Sequence, residues 1–214
     1  MAGPNLTIHQ PILQVQEKAG TTPWTEALPE AAGQNFMWGT PVMLNVQKFV
    51  TAWDGSNVGP APGGILGISE SPGWNLPTAG AGAPVPPFGQ ITGSMSIQTF
   101  GIVPNQPGGV NIAIGAPAQD GRTLFMPARE ATVFEAMFDS SNTGATTPAD
   151  FTPVQSDIGV AYGLTKDSAG PFWYVDKFKT GAAAAIQVVA IGRNGSVLNG
   201  LVKFVFLSTA IQKF

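Results

Sequence analysis

His9 is the only histidine in the chain, and there is no cysteine. Nucleophilic catalysis needs a base within hydrogen-bond reach of an activated Ser, Thr or Cys, so any such mechanism would run through His9. That residue lies in a stretch, 1–37, that Pro4, Pro11, Pro23 and Pro29 interrupt. A catalytic base has to be held by a rigid scaffold, and His9 reads instead as a surface or packing residue. A glycosidase needs two carboxylates at a fixed separation. Glu130 and Glu135 are the nearest acids flanked by apolar residues, but on a strand they would point to opposite faces.

Metal and phosphate chemistry are no better served. Asp139-Ser140-Ser141-Asn142-Thr143-Gly144, with Asp150 at the twelfth place, faintly copies a calcium loop. Ser and Thr stand where Asp or Asn should chelate, Pro148 intrudes at the tenth place and flanking helices are missing, so a solvated loop is the expectation. Zero cysteine removes disulfides and thiolate zinc sites. Gly80 and Gly82 do not open a helix that could cradle a phosphate. No catalytic, cofactor-binding or metal-ligating residue is therefore assigned, and the chain is expected not to be an enzyme.

The five tryptophans divide by context. Trp53 and Trp173 sit in strand-like segments and are expected in the core. Trp24, Trp38 and Trp74 sit beside Gly and Pro, where a large aromatic can serve as an interface anchor. With the apolar residues of the first segment they make up the candidate partner-binding set: Leu6, Ile8, Ile12, Leu13, Val15, Trp24, Trp38 and Trp74.

The elements that would carry these residues are read from punctuation and alternation. Of 214 residues, 27 are Gly and 19 are Pro, while acids number 13 and bases 10, for a net charge of -3. About a quarter of the chain is Val, Leu, Ile or Phe, enough for a packed core. The acidic balance argues against an electrostatic grip on nucleic acid, no apolar run approaches the ~20 residues of a membrane helix, and the first residues lack the pattern of a signal peptide. Residues 1–37 read as an extended arm that lacks a core of its own and carries a short strand, the alternative being a strand tucked into the main domain. Pro41–Trp53 is rich in β-favouring residues and is followed by Asp54-Gly55. The same turn signal recurs at Asp120-Gly121 and Asn194-Gly195, between runs of Val, Ile and Phe, which predicts antiparallel hairpins.

Residues 71–90 are dense in Pro and Gly and cannot sustain a helix or a central strand, so 71–109 is read as a loop-rich insertion. Residues 130–138 suit a short helix and a strand equally. The Gly181–Ala185 run is too short for a helix of its own. In 201–207 both faces are apolar apart from Lys203, which predicts a strand buried on both sides. The fold class that follows is all-β, an antiparallel β-sandwich or small barrel, jelly-roll-like, spanning 38–214 behind the arm.

With Gly39-Thr40-Pro41-Val42-Met43-Leu44, then Trp53-Asp54-Gly55, then Ile65-Leu66-Gly67-Ile68, the chain resembles the capsid cement (head decoration) proteins of tailed bacteriophages. The segments Asp157–Leu164 and Trp173–Asp176 are similar to stretches of phage structural proteins, and the likeness of segment order covers roughly 36–214. It implies a structural virion protein that binds the outer capsid surface and ties capsomers together without chemistry. The implied partners are the major capsid protein and further copies of the chain, as a dimer or trimer, with no nucleic acid and no membrane. The implied location is the virion surface, after assembly in a host cytoplasm. A single jelly-roll viral coat protein and a carbohydrate-binding or tail-spike module are the rival readings. In the first of these a basic arm is common, whereas 1–37 holds Lys18 against Glu17, Glu26 and Glu30.

Overall fold

The computed structural model describes residues 11–17, 25–31, 34, 36–55, 64–71, 73, 122–129, 131–145, 147–168, 170–192 and 197–212. Eleven strands account for most of the order in these residues. They are β1 (Leu13–Glu17), β2 (Glu26–Pro29), β3 (Pro41–Leu44), β4 (Val50–Ala52), β5 (Gly67–Ser69), β6 (Arg122–Pro127), β7 (Thr132–Asp139), β8 (Ala161–Lys166), β9 (Trp173–Asp176), β10 (Ile186–Ile191) and β11 (Leu201–Phe206). Among the described residues helix is confined to one turn, α1 (Pro148–Phe151), and two 3₁₀ turns, Gln155–Asp157 and Gly181–Ala183. The chain is all-β.

The first sheet runs β1-β7-β11-β10-β8-β9, and β9 pairs again with β7. That second pairing closes β7, β11, β10, β8 and β9 into a five-stranded barrel. The closing seam is parallel and short, matching Phe138 to Val175 and Asp139 to Asp176. β11 occupies one edge of β7, so the other edge carries β9 at its end and β1 at its start, with Leu13 opposite Glu135 and Glu17 opposite Thr132. A barrel interior takes alternate side chains from every strand. Here it receives Phe134, Ala136 and Phe138 from β7, Val202, Phe204 and Phe206 from β11, and Tyr162, Leu164, Trp173, Val175, Ile186 and Val188 from the rest, all buried. The tie between helix and strand resolves to strand over Thr132–Asp139, because period two sends three apolar residues of β7 into that interior.

The second sheet, β2-β6-β5-β3-β4, is antiparallel throughout. A parallel bridge from Glu30 to Val50 joins its two outer strands, with Ala31 N donating to Val50 O at 2.9 Å. One face packs Ile65, Ile68 and Met126 into the barrel's core, and the other gathers Phe36, Val42, Leu44, Val50, Leu66 and Phe125. Close strand approach demands a glycine at Gly67, since an added Cβ would lie 2.2 Å from Met126 O. The two sheets are joined by the Ile65–Ile211 bridge and by the Gln212 side chain. Its Oε1 accepts from Leu44 N at 2.7 Å and its Nε2 donates to Leu44 O at 3.0 Å. Trp53 packs on Trp173 across the same junction, with ring centroids 5.3 Å apart, so both occupy the core as their strand context predicts.

Several sequence expectations need correction. Pro41–Trp53 is two strands, and the β3–β4 turn sits at Asn45–Phe49, ahead of Asp54-Gly55. Asn45 Oδ1 accepts from Gln47 N and Phe49 N, and Lys48 takes a φ of 68°, which is how an Asx turn supplies the left-handed residue without glycine. Asp54-Gly55 instead leads out of β4. The Asp120-Gly121 and Asn194-Gly195 turns lie outside the described residues, although β10 and β11 do pair antiparallel. Nearly all of the 71–109 insertion also lies outside them.

In the first segment the described residues follow the second of its two readings, strands tucked into the main domain. Residues 11–17 and 25–31 are not detached, because β1 extends the barrel sheet and β2 extends the second one. Gly39 receives them, with a φ of 78° and Pro11 so close that a Cβ would sit 2.4 Å from Pro11 Cβ. Ile12, packed beside this contact, is 0 % exposed. The open edge of β7 beside the β9 seam is the physical reason: unpaired backbone there needs a partner, and β1 supplies it.

Candidate partner-binding face

The registers place one end of the barrel precisely enough to ask what it displays. Asp139, the last residue of β7, faces Asp176, the last of β9. Gly163 near the start of β8 also faces Asp176, and Leu201 at the start of β11 faces Met137. The segments 140–160, 177–185 and 192–200 therefore begin or end at one rim. They carry Val154, Ile158, Phe178, Val197 and Leu198, which are five of the eight large apolar residues exposed among the described residues. Phe178 is 60 % exposed and Val197 54 %. Single exposed apolar residues are ordinary, whereas a group on loops at one end of a rigid scaffold marks a contact surface.

Buried acids hold these loops. Asp157 accepts from Tyr162 Oη at 2.7 Å and from Val154 N at 2.7 Å, fixing the backbone that displays Val154. Asp176 Oδ1 accepts from Ser141 N and Phe178 N, both at 3.0 Å, and its Oδ2 accepts from Thr165 Oγ1 at 2.6 Å. The backbone of Phe178 is thus anchored while its ring faces solvent. Asn199, in the left-handed region at φ 54°, donates from N to Phe151 O and from Nδ2 to Phe138 O, and so pins the turn that displays Val197 and Leu198. Lys177 Nζ donates to Ala149 O at 3.1 Å, tying α1 to the same cluster. Asp150 Oδ2 accepts from both Thr147 N and Thr147 Oγ1, closing α1 at its start. Burial pushes the Tyr162 hydroxyl well above its usual range, and the Asp157 carboxyl that accepts its hydrogen bond adds to the shift.

This arrangement suits adhesion. Apolar side chains held on a pre-ordered backbone lose little freedom when they meet a partner. The acids of the rim point inward to backbone amides, and Lys177 and Lys179 cover the carbonyls of Ala149 and Leu164. Asp157 and Asp176 are therefore withdrawn from the surface, while Lys177 and Lys179 stay half-buried beside Phe178.

Among the described residues no group of three acids or histidines is arranged to hold a metal ion. A cleft of about 250 Å³ between the two sheets is lined by Leu66, Phe125, Pro127, Ile211 and Gln212, with the Glu26–Arg129 pair at 3.4 Å beside them. The Gln212 amide is already engaged by Leu44, and no nucleophile and base meet in the lining.

Half of the residues proposed from sequence for partner binding can be placed. Leu6, Ile8, Trp24 and Trp74 lie outside the described residues. Ile12 is core and has no surface to offer a partner, which corrects its assignment. Leu13 is half-buried in β1, and Val15 lies in the same strand, paired edge-on to β7. Trp38 is exposed, but on the turn before β3 in the second sheet. The rim was missed because its apolar residues come from segments far apart in the chain and each looks like an isolated loop residue. The only local hint was Phe178 between two lysines.

No protein-family model matches the chain, and neither the curated proteins nor the solved structures gave a match.

Proposed function

We propose that this chain is a structural virion protein of the cement kind, which binds the outer surface of an assembled capsid and stabilises contacts between capsomers without performing chemistry. The observation that carries the reading is the rim: five apolar side chains on three loop segments, fixed by buried acids, at one end of a closed barrel. A pre-ordered loop surface with exposed apolar side chains, on a chain of net charge -3, favours a protein partner over nucleic acid. The likeness of segment order to phage decoration proteins supports the capsid as that partner. In this reading the rim docks on the major capsid protein, and copies of the chain associate as a dimer or trimer.

The role given to the arm changes. Deleting residues 1–37 would remove β1, β2 and Ile12 along with any contact they make, so loss of binding in that deletion would report loss of the fold. The full chain is the right reagent. Cosedimentation with empty capsids bearing the major capsid protein of the same genome is expected to carry it into the pellet, and light scattering is expected to give a closed oligomer. A chain that stays in the supernatant at micromolar capsid protein, yet is retained by a glycan array, would replace the proposal with the carbohydrate-binding reading.

A further inference from the structure

The parallel seam that closes the barrel joins two acids face to face. Asp139 is paired with Asp176 in the register of β7 and β9, and their exposures are 1 % and 0 %. The two differ in how they are satisfied. Asp176 has both oxygens engaged, by Ser141 N, Phe178 N and Thr165 Oγ1. Asp139 Oδ1 accepts only from the adjacent Ser140 N at 2.8 Å, and its Oδ2 is buried with no partner. An unpartnered buried carboxylate oxygen is costly, whereas a carboxylic acid removes the charge.

We propose that the β7–β9 seam is a proton-held latch: it is tight while Asp139 carries a proton and loosens when that proton leaves. The groups facing Asp139 decide the direction. From β9 come Asp176 and the buried Tyr174 hydroxyl, and from the turn after β8 comes Asp167, buried at 4 %. The nearby cation, Lys177, directs its ammonium to Ala149 O and stands 5.7 Å from the centre of the Phe138 ring. The Asn199 amide, which donates to Phe138 O and favours the ionised form of Asp139 from there, is uncharged. Burial raises the Asp139 pKa from 3.8 to about 6; the Ser140 amide opposes this, Asp176 adds to it, Asn199 opposes it and Asp167 adds to it. A metal ion is the other way to neutralise such a group. However, Asp176 has no oxygen to give it, and no set of three acids among the described residues converges on one.

Because the raised value belongs to the closed seam, its contribution is fully present below pH 3.8 and is lost as the pH rises through about 6. The amide of Lys177 reports the latch directly, since it donates to Asp139 O at 2.9 Å across the seam. Hydrogen exchange corrected for the intrinsic rate should show its protection falling about tenfold between roughly pH 5 and pH 8. The Gly192 amide, bonded to Leu201 O on the far side of the barrel, should hold steady. Asp139→Asn should remove the pH dependence at Lys177. A Lys177 protection that does not change with pH, or that falls equally in Asp139→Asn, overturns the proposal. So does calcium at pH 8, if it restores protection as acid does. Should Asp139→Asn fail to fold, the carboxyl ¹³C titration of the unmodified chain decides: a midpoint near 6 supports the latch and one near 4 refutes it.

Discussion

The two sheets of this molecule solve the problem of their edges differently. The barrel closes on itself through a strand-to-strand seam and fills its interior with aromatics. Phe134 lies 5.9 Å from Phe204 and 5.2 Å from Phe206, centre to centre, and Phe204 and Phe206 meet edge-on at 5.5 Å. The second sheet has a smaller core, a single bridge between its outer strands, and a fully buried Glu30 whose Oε1 accepts from Thr123 Oγ1 at 2.9 Å. It leans on the barrel chain at Ile211 and Gln212 for the rest. The contrast separates a scaffold from an annex: the end of the barrel is rigid enough to present a docking surface, while the second sheet covers the core from the side.

Substitutions can break that contrast in graded steps. Phe204→Ala empties the centre of the aromatic group and should cost about 3–5 kcal/mol in urea unfolding; a cost under about 1 kcal/mol would mean the barrel is not the scaffold. Gly67→Ala forces β5 away from Met126 O and should cost roughly 1–3 kcal/mol, with amides of the second sheet losing exchange protection first. Gln212→Ala removes both hydrogen bonds to Leu44 and should cost about 1–2 kcal/mol. Its signature is selective: β3 and β4 lose protection while β10 and β11 keep theirs, and equal loss in both would erase the distinction between the sheets. Phe178→Ser with Leu198→Ser should leave stability within about 0.5 kcal/mol, because both side chains already face water.

The same contrast explains what the sequence made legible. Residues 201–207 announced a two-faced apolar strand because alternation is a local signal, and β11 buries Val202, Phe204 and Phe206 inward and Val205 outward. Trp53 and Trp173 were placed in the core for the same reason. The first segment stays open between arm and tucked strand in the sequence because an edge strand such as β1 is defined by its partner, and β7 begins more than a hundred residues later. The β3–β4 turn was misplaced because Asn45 does through its side chain what a glycine usually does through its backbone. The rim could not be read at all. The loops of Val154, Phe178 and Leu198 reach one end of the barrel only through the β7–β9, β8–β9 and β7–β11 pairings.

The central claim is that this rim is what the chain docks with. It is tested most directly by titrating empty capsids with the unmodified chain and with Phe178→Ser/Leu198→Ser and comparing dissociation constants. Two interface anchors at roughly 2 kcal/mol each would weaken binding by at least about a hundredfold at unchanged stability. Binding of the double variant within about threefold of the unmodified chain, a difference of roughly 0.6 kcal/mol, would place the docking surface elsewhere and contradict the account.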